Sequence, residues 1–146
     1  MAEFKSDQVT KLDASPREQL ATNEAGGRVR QAFFRHAVEA GNLVNDTISL
    51  IEVPAGARIL GGKIAFEAMS SAAGTAQVQL GDGTTAGKYL GTTSVDAAGE
   101  ADFAHTVALN YGEKLTEKLR LTATILGEAW AAGQVFTGHL LYVHND

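Results

Sequence analysis

Four histidines, His36, His105, His139 and His144, are the side chains of this 146-residue chain best suited to ligate a metal or carry a proton near neutral pH. A histidine metal centre on a β scaffold wants a His-x-His pair, an acid shortly after it and another histidine one strand pair later. His36 and His105 have no such partners, and His139 and His144, five apart in an extended segment, point to opposite faces. All four read as isolated surface or interface histidines. The run Gly83-Thr-Thr-Ala-Gly87-Lys88-Tyr89 superficially resembles a phosphate loop. It has three residues between its glycines instead of four, and Tyr89 stands where a magnesium-binding hydroxyl should be. Asp82, Asp96, Glu100 and Asp102 lie near glycines and could hold calcium, but they lack the dense Asp-x-Asp-x-Asp-Gly order. Turn chemistry accounts for them. No Gly-x-Ser-x-Gly elbow is present, and there is no cysteine, which removes disulfides, thiolate nucleophiles and sulfur-ligated zinc. The expectation is a chain with no catalytic residues, no metal and no cofactor.

Two features suit contact with other molecules better than they suit chemistry. Arg28, Arg30 and Arg35 stand with His36 in one extended segment, and alternation puts Arg28 and Arg30 on one face. Over residues 28–40 three arginines against Glu39 leave +2, while over residues 1–27 three cations against five acids leave -2. The whole chain carries -5, the wrong sign for a nucleic-acid coat, and the basic patch lacks interleaved aromatic residues. It reads as a partner for acidic groups on another protein or on the chain's own N-terminal arm. Trp130, the one tryptophan, lies among small residues in Gly127-Glu-Ala-Trp-Ala-Ala-Gly133. It is either an interface anchor at a loop tip or a lid on the end of a β core.

The elements that position these residues are short. The length fits one domain, and 45% apolar with 20% charged residues is ordinary globular composition. Sixteen glycines against two prolines fall between short apolar segments. Alternation predicts about eight strands, near residues 29–38, 46–53, 57–69, 76–80, 89–90, 101–109, 119–126 and 134–144. Gly61-Gly62 inside the third run predicts a bulge or sharp bend. Alternation gives an all-β fold, an antiparallel sandwich over 28–146 behind an extended arm over 1–27. The arm is expected to be a tether, with Phe4, Val9, Leu12 and Leu20 as apolar anchors and Lys5, Lys11 and Arg17 as ion-pair partners. Ser15-Pro16-Arg17-Glu18 predicts the start of a short helix in it. No apolar run approaches the roughly 20 residues that span a bilayer, and the N-terminus lacks a secretory signal, so cytoplasmic synthesis is expected.

Much of the chain resembles a known group of proteins. Ile48-Ser-Leu-Ile-Glu-Val-Pro-Ala-Gly-Ala-Arg-Ile-Leu-Gly-Gly, then Val78-Gln-Leu-Gly-Asp-Gly, Lys88-Tyr-Leu-Gly and Ala132-Gly-Gln-Val followed by Leu-Tyr-Val are similar to small head proteins of tailed bacteriophages. These are the cement or decoration proteins on the outside of the capsid shell. The resemblance covers roughly residues 45–144 and rests on turn and strand signatures. It implies a jelly roll, symmetric oligomers on the shell and reinforcement of the capsid against packaged DNA. The implied partners are the major capsid protein and the chain itself, a homodimer favoured over a homotrimer, with no sequence-specific nucleic acid and no membrane. The implied location is the capsid exterior of a virion assembled in the host bacterial cytoplasm. Phe4, Leu12, Arg17, Leu20, Arg28, Arg30, Arg35 and Trp130 are the candidate capsid or oligomer contacts, the arm and first strand lying outside the matched pattern. The alternative is a phage tail or receptor-binding β module recognising a host surface glycan, although no shaft repeat is visible. A small jelly-roll enzyme is a third class, which the histidine placement opposes.

Overall fold

A computed structural model describes residues 5, 7–19, 28–39, 43–104 and 112–144. After a short helix α1 (Asp7–Asp13) come β1 (Arg28–Ala37), β2 (Thr47–Val53), β3 (Arg58–Phe66), β4 (Gln77–Gly81), β5 (Leu90–Ser94), β6 (Gly99–Phe103), β7 (Leu119–Leu126) and β8 (Val135–His144). They form two four-stranded sheets, ordered β1-β8-β3-β6 and β2-β7-β4-β5. The pairs β1–β8, β2–β7, β3–β6 and β4–β5 describe one long antiparallel ribbon with the β4–β5 turn at its closed end. Rolling that ribbon brings β8 beside β3 and β7 beside β4. This is the jelly-roll arrangement, and the expected all-β sandwich of eight strands is what the described residues form.

Alternation places the core between the sheets. In β7, Leu119, Leu121, Ala123 and Ile125 are buried while Arg120 is exposed. In β8, Phe136 and Leu140 face inward with Gly138 between them, leaving Thr137, His139 and Leu141 on the outer face. Two bulges keep the apolar residues inside where strict alternation would turn them out. In β3 the register shifts between Ile59 and Gly61, so Ile59 is buried with Gly62, Ile64 and Phe66, three residues then two apart. Gly61 there has φ 135°, open to glycine at little cost. The double glycine thus marks a bulge, as its place in the sequence suggests. A second shift, between Ser49 and Ile51, explains why β2 becomes apolar on both faces halfway along.

The predicted helix start is corrected. α1 ends before Ser15, and residues 14–19 are bends and coil. The chain folds back to occupy the carbonyls that the helix leaves open. Glu18 N–H donates to the Lys11 carbonyl at 2.9 Å and Arg17 Nε to the Leu12 carbonyl at 2.7 Å. Pro16 therefore follows a helix end, another position where its missing N–H is harmless. The sixth strand ends at Phe103, and the rest of its expected span, 105–109, lies outside the described residues.

Candidate interaction surface

β1 is the most exposed of the long strands. All ten of its residues pair antiparallel with β8 without a register shift. Phe34 reaches the core and stacks on Phe136, with ring centroids 6.2 Å apart at 24°. Facing the other way, Phe33 is 72% and Val29 61% exposed, beside exposed Gln31 and Arg35. Arg28 and Arg30 share the opposite side of the strand from Arg35, and all three are exposed. The basic strand is thus split between two faces instead of forming one patch.

Trp130 is not an exposed anchor. Its side chain is 3% exposed within the single chain, and its ring lies 5.4 Å from that of Phe136. The lid reading is the one the structure carries. The β3–β4 and β7–β8 loops are tied together around it. Ser70 and Trp130 form an isolated β-bridge, and Ala131 N–H donates to the Met69 carbonyl at 2.7 Å. Glu128 completes the clamp: Oε2 accepts from Ala73 N–H at 2.9 Å and Ala72 N–H at 3.1 Å, and Oε1 from Thr75 N–H at 2.9 Å. Those contacts are made by residues 53–56 positions away, so no local spacing announces them.

The Ala73 and Thr75 amides, with Ser70 and Ala72, favour the ionised form and hold the Glu128 carboxyl down at about 2, against 4.5. Because the folded value lies below the unfolded one, the clamp's contribution is complete above about pH 4.5 and is lost as pH falls towards 2. Glu128→Gln cannot replace it, since one carboxamide end presents N–H groups to backbone N–H donors. The variant is expected to unfold at a lower temperature at pH 7, with a shallower fall of its midpoint between pH 5 and pH 2. Thermal scans across that range check this, and an acid limb as steep as the wild type's would contradict it.

The loop resembling a phosphate cradle binds its own carboxylate. Asp82 Oδ1 accepts from Thr84 N–H at 2.9 Å and Thr85 N–H at 2.7 Å, so the backbone donors that would meet a phosphate are taken. Burial alone would raise the Asp82 pKa, but the Thr85 and Thr84 amides and Lys88 leave it lowered. Lys88 Nζ lies 3.1 Å from Glu113 Oε1 and 3.6 Å from Asp82 Oδ2. Tyr89, 1% exposed, donates to Glu113 Oε2 at 3.4 Å. Burial first, then the Glu113 and Asp82 charges, push its phenol well above the usual range. These groups, with Glu117 and Lys118, line a polar cleft of about 180 Å³.

Among the described residues no three His, Cys, Asp or Glu side chains converge as metal ligands. His139 lies edge-on to Phe33, with centroids 6.2 Å apart, and His144 Nε2 lies 3.0 Å from the Ala55 carbonyl. His105 is outside the described residues. Glu100 and Asp102 both face Lys63 Nζ, at 3.4 and 3.8 Å. Of the arm's candidates, Phe4 and Leu20 lie outside the described residues. Leu12 is half-buried, Arg17 caps α1, and Lys5 Nζ pairs with Asp13 Oδ2 at 2.7 Å.

No family profile matches the chain, and no curated protein does. Solved structures do match in shape. A chain from the capsid of Ralstonia phage GP4 superposes with a TM-score of 0.70 at 18% identity, over 82% of this chain and 86% of that one. One from the capsid asymmetric unit of cyanophage Pam1 gives 0.67 at 15% identity, over 90% and 96%. One from the acidic stable capsid structure of Helicobacter pylori bacteriophage KHP30 gives 0.60 at 17%, over 81% and 89%. With so little sequence in common, what these chains share with this one is the fold: a jelly roll whose length each nearly matches.

Proposed function

We propose that this chain is a structural protein of a tailed-bacteriophage virion, one that binds the outside of the capsid shell and cements neighbouring major capsid subunits against internal DNA pressure. The observation that carries the reading is the whole-length fold likeness to three chains that all come from phage capsids. The side chains support the same reading. The polar clusters of the described residues are ion pairs and amide clamps that hold loops, a construction suited to presenting surfaces. The partners are the major capsid protein and further copies of the chain, and the place is the virion exterior. Contacts too weak to hold singly become effective when an oligomer makes several at once, because the later ones form at high effective concentration.

The arm is the proposed tether. Ordering a polar segment costs about 1–2 kcal/mol per residue, so it pays only where a shell supplies many contacts. The full chain is expected to co-sediment saturably with empty shells, and cryo-microscopy of labelled virions to place it on the head. A chain starting at Gly27 should fold, by circular dichroism, yet bind shells at least tenfold more weakly. Label on the tail would end the cementing role, and equal binding by the two chains would end the tether.

A further inference from the structure

The outer face of the β1-β8-β3-β6 sheet carries opposite charges at its two edges. Register carries two rows of residues straight across it. One row runs Phe33, His139, Lys63, Asp102, and the next runs Arg35, Thr137, Ala65, Glu100. Residues directly paired across antiparallel strands share a face, so both rows lie on the outer side of the sheet. Arg35 therefore stands at the β1 edge and Glu100 at the β6 edge of a single row. Glu100 is 65% exposed, and among the described residues Arg35 has no ion pair. Between these edges the second row carries only Thr137 and Ala65, part of a shallow apolar hollow of about 280 Å³. Phe33, 72% exposed, and Val29, 61% exposed, complete the β1 side.

We propose that this face is a two-fold interface between two copies of the chain, with Arg35 of each copy paired to Glu100 of the other. The inference takes up the self-association named in the proposed function and does not require that the protein bind a shell. Symmetry supplies the argument. A two-fold axis lying between the sheets along the strand direction exchanges the edges and keeps each row at its own level. It lays β1 of one copy over β6 of the other, so Arg35 meets Glu100 twice. An axis at right angles to the strands lays β1 over β1 and β6 over β6, so Arg35 does not reach Glu100 of the other copy. Sheets pack about 10 Å apart, a gap that an arginine and a glutamate reaching from opposite sides can close. Aligned sheets cross at about 30°, which displaces edge residues by roughly 4 Å, within reach of both side chains. The same operation lays Phe33 over the partner's β6 edge at Asp102, whose charge the neighbouring Lys63 offsets at 3.8 Å. An unrelated shell surface has no reason to carry the matching order of charges, whereas a second copy must.

The face is small. Four strands about 4.8 Å apart and nine residues of about 3.3 Å each give roughly 600 Å² of flat area per copy, near the lower limit for a specific interface. The dimer should accordingly dissociate on dilution into the micromolar range, and edge charges should decide it.

Sedimentation velocity of the full chain at low salt, from micromolar to millimolar, tests this with Arg35→Glu, Glu100→Arg and the double variant. Both positions are exposed, so folding should be unchanged by circular dichroism and thermal midpoint. Each single reversal is expected to weaken the dimer at least tenfold, and the double reversal to return it to within threefold of the wild type. A wild-type chain that stays monomeric overturns the interface. So does a dimer indifferent to both single reversals, or one lost in the singles and not recovered in the double. Shell co-sedimentation is read separately: shell binding by a persistent monomer removes this interface and leaves the cementing role, and a rescued dimer that ignores shells does the reverse.

Discussion

Trp130→Ala is expected to lower the thermal midpoint by about 10–15 °C. The indole is 3% exposed, packs on Phe136 and closes the end of the sandwich between the β3–β4 and β7–β8 loops. Truncating a buried tryptophan removes its transfer free energy and leaves a cavity, together about 3–5 kcal/mol. In a domain of this size each kcal/mol moves the midpoint by roughly 3 °C. Trp130→Phe separates ring from heteroatom. Indole Nε1 is buried with no hydrogen-bond partner among the described residues, and an orphaned donor of that kind costs about 1–3 kcal/mol. Phenylalanine gives up some contact area but deletes the orphan, so its stability should stay within about 1 kcal/mol of the wild type. Differential scanning calorimetry of both variants checks the pair. A Trp130→Ala protein that melts normally would show the ring to be dispensable to the core.

The tryptophan shows where reading a sequence stops. A lone Trp among small residues between two strands fits a lid and an anchor equally well, and the choice depends on Met69 and Ser70, about sixty residues earlier, folding against it. The same distance hides the Glu128 clamp, since a glutamate that gathers amides of Ala72, Ala73 and Thr75 looks like any surface acid until the loops meet. Strands are more readable because their signal is local. The alternation of Leu119, Leu121, Ala123 and Ile125 against Arg120 marks the buried face of β7 without knowledge of any partner. What alternation cannot give is sheet order, because β8 pairs with both β1 and β3 through contacts spanning most of the chain. The jelly-roll arrangement came instead from the resemblance of residues 48–62 and the later turn motifs to phage head proteins. The helix boundary is not legible locally: Ser-Pro at 15–16 suits the beginning of a helix and the residues after one equally, and the carbonyls of Lys11 and Leu12 decide which.

Gly61-Gly62 carries two separate constraints, and the second supports the other large effect. Gly61 supplies the positive φ of the bulge. Gly62 supplies absence: a β-carbon there would lie 2.3 Å from the His139 carbonyl oxygen and 2.5 Å from Cζ of Phe103. The first is backbone of β8, the strand hydrogen-bonded beside it, and cannot rotate away. The second belongs to a ring that is 0% exposed and has no solvent to move into. Relief would require β3 and β8 to part at the middle of their sheet, or the Phe103 ring to leave its place over the glycine. Overpacking a core ordinarily costs about 1–3 kcal/mol, and a contact against fixed backbone belongs at or above the top of that range. Gly62→Ala is therefore expected to lose about 3 kcal/mol or more in urea unfolding, despite alanine being the better residue for an ordinary strand. Gly91→Ala, in β5 with open space around the added carbon, should change stability by less than about 0.5 kcal/mol. Equal stability of the two variants would mean that β3 and β8 separate easily, and the close approach of these central strands would then contribute little to holding the sandwich.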